Sequence, residues 1–199
     1  MLNISIRLKR ISAGWDLTGK KGNSILVDNQ NNIYVAGSFY TDLKIENTTI
    51  NATKFNDLFI AKFNETGNLI WIKSAGGPVG DIAASLTLLD NFLYVLGSFD
   101  FQITFANINL QTDLTGSIFL AKYDLDGNLI WVHYVGPGGS GACISYLNII
   151  SDKRKYLYLT GCMIHEQVKS YNDNLFIAKY DSMGSQIWVK QYGGNSIAG

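Results

Sequence analysis

The side chains that most readily do chemistry near neutral pH are histidine and cysteine, and this chain has two of each: His133, His165, Cys143 and Cys162. A thiol nucleophile needs a base beside it and a third group that orients the base. Cys143 and His165 could supply the first two, but nothing in the sequence supplies the third, so thiol catalysis is not expected. The histidines are not spaced as metal ligands, and no Cys-x-x-Cys accompanies them. Cys143 and Cys162 fall in one repeat, on strands expected to be neighbours. A bridge between them is conceivable; free buried thiols are the expectation. His133 follows Trp131 in an apolar run and is expected to be a partly buried strand residue. His165 lies in a polar connection and is a candidate ligand contact.

Two further motifs have plainer readings. "GPGGSG", with Gly136, Gly138 and Gly141, fits the dinucleotide pattern G-x-G-x-x-G. That pattern holds a pyrophosphate because a helix follows it, whereas here the apolar run "CISYLNII" reads as a strand. A linker is expected instead. "DLDGN", with Asp124 and Asp126, resembles the start of a calcium loop. The same turn recurs as "NETGN" and "DSMGS", which lack the paired carboxylates, and the distal bidentate Glu is missing. Lys62, Lys122 and Lys179 occupy one repeated position, which argues for a salt bridge or a stem packed on a neighbouring repeat. No catalytic residue, metal or cofactor is expected.

Bulk composition narrows the partners. Hydrophobic residues make up 47% and charged residues 16%, which is globular and too apolar for disorder. The 16 basic residues equal the 16 acidic ones, and Arg7, Arg10 and Arg154 are the only arginines, so nucleic acid is not an expected partner. No apolar run approaches the roughly 20 residues that span a bilayer. Arg7, Lys9 and Arg10 stand where a secretory signal would place its apolar segment. Neither a membrane span nor a signal peptide is expected, and the compartment stays unassigned.

The elements that would position any site are announced by repetition. Trp71, Trp131 and Trp188 stand 60 and 57 residues apart, and "AKF", "AKY" and "AKY" at Ala61, Ala121 and Ala178 keep step. So do "IYVAGSF", "LYVLGSF" and "LYLTGCM", which contain Gly37, Gly97 and Gly161. A near-fixed period means one supersecondary unit repeated. Each unit divides into four short strands rich in β-branched and aromatic residues, with no sustained 3.6-residue period. Gly67, Gly127 and Gly184 sit where a tight hairpin wants positive φ. Pro78 and Pro137 are assigned to the links between units.

The third strand is apolar on both faces: Phe59, Ala61 and Phe63 on one, Leu58 and Ile60 on the other. A lone antiparallel sheet would alternate with polar residues, so neighbouring units must cover both sides. Small antiparallel sheets stacked face to face around an axis form a β-propeller. The tryptophans would be wedges between blades, and the alanines would mark close approach.

The order "SI-x-VD", "N-x-YV-x-G", "F-x-AKY" or "F-x-AKF", "G-N-x-x-W" and "GG" resembles the β-propeller repeat of the seven-bladed (SBBP-like) type. That repeat is common in bacterial surface and secreted proteins and occurs in large viral genomes. The resemblance runs from about Ser12 to the end and implies an all-β fold of four-stranded antiparallel blades, with no shared catalytic motif. Departures fall in the last unit, where "IISDKRKYLYLTG" lengthens the first hairpin and "CMIHEQVKSYNDN" replaces a longer connection. The sialidase Asp-box does not fit. Glu65, Leu125 and Ser182 stand where its Asp belongs, and the Trp comes four residues after the Gly rather than three.

Division into blades gives residues 1–14 as a last strand, blades at 22–76, 83–136 and 143–193, and 194–199 as the start of another. Closed propellers use about 4 to 8 blades, so the expectation is a piece of a longer propeller or copies that associate through open ends. Inter-blade links and second-to-third connections should share one face, where loops on a rigid scaffold carry function. Trp15, Asp16, Tyr40, Asp57, Asp81 and His165 are the candidate contact residues there. For Asp57 and Asp81 the plainer reading, capping of turns, is the favoured one. The function expected is a non-catalytic scaffold that binds protein or glycan. The alternative is part of a propeller hydrolase or lyase whose catalytic residues lie on other blades.

Overall fold

In a computed structural model, residues 19–53, 55–137, 146–152, 154–163 and 174–193 are described. Strands dominate, and there is no α-helix among these residues. The first four-stranded antiparallel sheet is built from β1 (Lys21–Val27), β2 (Ile33–Phe39), β5 (Asp57–Phe63) and β6 (Leu69–Ala75). The second contains β7 (Asp81–Leu89), β8 (Phe92–Phe99), β11 (Ser117–Asp124) and β12 (Leu129–Pro137). The third contains β13 (Asn148–Ser151), β14 (Tyr156–Met163), β15 (Asn174–Asp181) and β16 (Gln186–Tyr192). Each sheet runs in strand order from an inner first strand to an outer fourth, as the blades of a propeller do. The protein is an all-β, propeller-like stack, and its sheets do not close into a ring.

Two elements were not expected. The second-to-third connections of blades 1 and 2 each form a small hairpin: β3 (Leu43–Ile45) with β4 (Thr48–Ile50), and β9 (Gln102–Phe105) with β10 (Ile108–Gln111). The second hairpin lies against the preceding blade through a bridge between Thr104 and Gly76, and its Phe105 ring meets Phe119 edge-on at 4.9 Å. β12 also runs on to Pro137, which pairs with Ser117. β12 is an outer edge strand, where a proline is tolerated.

Among the described residues one turn device occurs five times. Asp28, Asn64, Asp124, Asp152 and Asp181 each accept the backbone N–H groups two and four residues ahead. The residue three ahead then has positive φ: Asn31, Gly67, Gly127, Lys155 and Gly184. Such side-chain oxygens satisfy backbone donors that a sharp turn would otherwise orphan. Slight burial would raise Asp28, but hydrogen bonds from Asn32, Gln30 and Tyr34 outweigh it and hold the carboxyl below its ordinary value.

Packing between blades follows from strand alternation. Leu58 and Ile60 of blade 1 pack against Val95, Phe119, Ala121 and Tyr123 of blade 2. Leu96, Ile118 and Leu120 of blade 2 pack against Leu159, Phe176, Ala178 and Tyr180 of blade 3. Opposite Gly37 and Gly97 the first strands bulge, and the Lys21 and Ile82 carbonyls occupy the space a Cβ would need. Only glycine fits there.

Candidate functional site

Three positions facing one another across each sheet carry the seams between blades. In register, Tyr34–Lys62–Trp71, Tyr94–Lys122–Trp131 and Tyr158–Lys179–Trp188 form a row over the second, third and fourth strands. In blade 1 the Lys62 ammonium donates to the Leu125 carbonyl of the next blade's turn at 3.0 Å, and the Trp71 indole N–H donates to the same oxygen at 3.1 Å. In blade 2 Lys122 donates to the Ser182 carbonyl at 3.1 Å, one repeat further on. The lysines also lie over the tyrosine rings at 5.3 and 5.4 Å. Of the two expected roles, a salt bridge or a stem packed on the neighbouring repeat, Lys62 and Lys122 do reach the neighbouring blade, but there they bond a backbone carbonyl rather than a carboxylate.

The second seam differs in one donor. The Tyr94 hydroxyl reaches the Ser182 carbonyl at 2.9 Å, and the Trp131 indole N–H is left buried without a partner. A carbonyl oxygen has two lone pairs, and Tyr94 and Lys122 fill them. Tyr34 and Tyr158 do not compete in this way, because their hydroxyls donate to Asp28 and Asp152. Blade 2 has only a short turn through Asp90 and Asn91 at that place, both at positive φ. His133, expected to be partly buried, is exposed. Its ring stacks on Trp131 at 4.5 Å with Nδ1 3.4 Å from the Gly184 carbonyl. It rides on the outer edge strand, one side of which meets water.

The links and second-to-third connections meet at one end of the blades. Tyr40 N–H donates to the Gly19 carbonyl, Asp81 N–H to Asn56, and the Thr53 hydroxyl contacts both Asp57 and the Gly77 carbonyl. Tyr40 is exposed there, while Asp57 and Asp81 are buried. Asp57 accepts the Thr53 N–H at 2.8 Å and its hydroxyl at 2.7 Å, tying the connection to the strand start. Neither carboxylate oxygen of Asp81 has a hydrogen-bond partner. Burial pushes its carboxyl up to about 8; the Gly77 amide opposes this without completing a hydrogen bond, and the charges of Asp57 and Asp100 add to the rise. No three His, Cys, Asp or Glu side chains among the described residues are placed to hold a metal. Trp15, Asp16, Cys143 and His165 lie outside the described residues, so the Cys143–Cys162 pairing does too.

The inner strands form a second feature that the sequence did not signal. Asn23 donates to the Ala83 carbonyl, and Ser24 accepts the Leu86 N–H. One blade on, Ser85 donates to Asn148 Oδ1 at 2.9 Å and accepts the Ile149 N–H, and Thr87 contacts Ser151. These bridges leave a recess of about 520 Å³ lined by Asn23, Ser24, Ser85, Asn148 and Tyr146, with apolar neighbours. Among the described residues it is lined by amides, hydroxyls and one phenol, with no carboxylate, imidazole, amine or thiol. The serines could have been noticed because Ser24 and Ser85 hold one strand position in successive repeats.

Comparison with known proteins agrees with this architecture. No family model matches the chain. It is 22% identical over 232 aligned residues to an uncharacterized WD repeat-containing protein of Acanthamoeba polyphaga mimivirus. That alignment covers 92% of this chain but 16% of the relative, so the chain spans about a sixth of the protein it matches. The distant likeness and the four-stranded sheets together support a propeller-like repeat fold. No helix among the described residues is long and apolar enough to cross a membrane.

Proposed function

We propose that the chain is a non-catalytic binding module built of propeller blades of the seven-bladed repeat type, and that it holds a protein partner at the linker face. The observation that carries this is the contrast between its surfaces. The described residues of the inner recess bring no group of ordinary catalytic chemistry, while Tyr40, Phe55, Phe101 and Leu114 stand exposed on the connections at the linker end. Exposed apolar and aromatic side chains on a rigid frame fit a protein surface better than a glycan, which would ask for more free polar donors. The sequence assigns Trp15 and Asp16 to a link between units and His165 to a second-to-third connection, and we place them with Tyr40 in the proposed contact surface. Asp57, being buried, ties that surface down through Thr53, and Asp81 lies buried beneath it without a side-chain partner. The WD repeat-containing character of the viral relative is consistent with a scaffold. Among the described residues Asp81 is the one that favours an enzyme, and its carboxyl is sealed from substrate.

The reading is tested by probing peptide and glycan arrays with the wild-type chain and with Tyr40→Ser and Phe101→Ser variants. Peptide binding that both variants weaken about tenfold is expected, with glycans silent. Glycan-only binding, or peptide binding indifferent to both changes, would overturn it.

A further inference from the structure

The two described seams share one plan that differs in a single donor, and each outer blade carries half of it again. On blade 3, Tyr158, Lys179 and Trp188 repeat the row that elsewhere grips the next blade. Among the described residues the Lys179 ammonium meets the Tyr156 ring at 3.6 Å and no turn carbonyl. Around it, residues that are sealed inside the other blades meet water. Leu175 is 48% exposed, where its counterparts Leu58 and Ile118 are 0% and 1%. Ile177 is 37% exposed, where Ile60 and Leu120 are 0%.

Blade 1 shows the receiving half. In the formed seams the turn glycine is covered: a Cβ on Gly127 would meet Trp71, and one on Gly184 would meet Trp131. Gly67 holds the same place with the same φ of 82° as Gly127, yet no described atom lies within 4 Å of its Cβ position. Glu65 stands where Leu125 and Ser182 offer their carbonyls. Val35 and Ile72 are only half-buried, whereas Val95 and Val132, their blade 2 counterparts, are 0% and 6% exposed.

We propose that a second copy of this chain covers these faces. Blade 3 of one copy seats blade 1 of the other, with Trp188 over the Gly67 turn and Lys179 donating to the Glu65 carbonyl. A surface that presents a patch at one end and its complement at the other joins head to tail. Two copies bring together six described blades, within the 4 to 8 of closed propellers. Both seams then form at once, and the pair closes on a two-fold axis. A blade-3-to-blade-3 pairing would instead bring two lysines together and leave both without a turn carbonyl.

The test is solution mass by sedimentation equilibrium, with circular dichroism confirming the fold. The wild type is expected at twice the 22.0 kDa of one chain. Trp188→Glu removes a central aromatic anchor and lowers dimer affinity roughly 30-fold or more. Ile177→Glu serves the same end should the tryptophan variant unfold. Gly67→Arg blocks the receiving turn and is also expected to be monomeric. Mixed, Trp188→Glu and Gly67→Arg each retain one intact half, and the mixture recovers a heterodimer joined at one seam. A wild type that stays monomeric at high micromolar concentration would overturn the proposal. So would an open-ended polymer, or a Gly67→Arg chain that dimerises as well as the wild type, the mark of pairing through blade 3 alone.

Discussion

Lys62 and Leu125 lie 63 residues apart in the chain, and the ammonium of one reaches the backbone carbonyl of the other at 3.0 Å across the boundary between two sheets. The bond does not depend on the acceptor's side chain, which is how the repeat can vary its turns and keep its seams. Lys62→Met keeps the packed stem and deletes the charged donor. Hydrogen bonds to charged groups contribute about 1.5–3 kcal/mol, and a loss of that size is expected in urea unfolding. Lys179→Met, at the uncovered face, is expected to cost the dilute monomer less than about 0.5 kcal/mol. Equal losses at both positions would show that the carbonyl bond contributes nothing to the seam.

Asp81 gives stability an unusual pH dependence. Its carboxyl has an ordinary value of 3.8 and a folded value of about 8. Across that window the native state keeps a proton that the unfolded chain has released, so stability falls as pH rises from about 4 to about 8. Asp28, Asp124 and Asp152 act in the opposite sense: each is held below 3.8 by turn hydrogen bonds. Their contribution is present above the ordinary value and is lost as pH falls through the depressed one. Maximum stability is therefore expected in mildly acidic buffer. Asp81→Asn should flatten the decline and stabilise the fold at pH 7.5 by about 1–3 kcal/mol. Chemical denaturation at pH 5 and 7.5 measures both effects, and an unchanged slope in the variant would move the titration to another group.

The blades were legible because their signals are local. Short runs rich in β-branched and aromatic residues, an Asx at the turn start and a glycine three residues on all lie within short windows of sequence. The hairpins β3–β4 and β9–β10 were not. Their strands are three or four residues long, and their turns put Glu46 and Ala106 at positive φ, where glycine or asparagine is the usual sign. Nor could residue types reveal the lysine partners, since the acceptors are backbone atoms of another repeat. Asp57 and Asp81 look like surface turn residues in the sequence; only the meeting of link and connection buries them. The repeated position of Ser24 and Ser85 was visible in the sequence, but their partners, roughly one repeat away, were not.

Gly127 and Gly67 separate backbone strain from seam packing. Both have φ of 82°, so an alanine at either position bears the same conformational cost, about 1 kcal/mol. At Gly127 the added methyl also meets the Trp71 ring at 2.9 Å and the Lys73 stem at 3.0 Å. Overpacking of that kind adds about 1–3 kcal/mol. In a Trp188→Glu background, which keeps the chain monomeric, Gly127→Ala should therefore lower the unfolding midpoint clearly more than Gly67→Ala. Matching midpoints would mean that the Trp71 wedge yields freely, and that the tryptophans are not what sets blade spacing.

Tyr94 and Trp131 compete for one oxygen, and that competition predicts a substitution with little cost. The Tyr94 hydroxyl holds the Ser182 carbonyl lone pair that the Trp71 indole takes at the equivalent place in the first seam. Tyr94→Phe vacates it. The orphaned Trp131 N–H then gains an acceptor, so the bond lost and the bond gained nearly cancel, and the change should stay under about 1 kcal/mol. Tyr34→Phe has no such rescue, because that hydroxyl serves the Asp28 turn. It is expected to cost about 1–2 kcal/mol more than Tyr94→Phe. The double variant Tyr94→Phe, Trp131→Phe should then show a coupling between the two positions, since each change alone leaves the other donor to satisfy Ser182. Strict additivity in that cycle would place the two donors on independent acceptors and dissolve the competition.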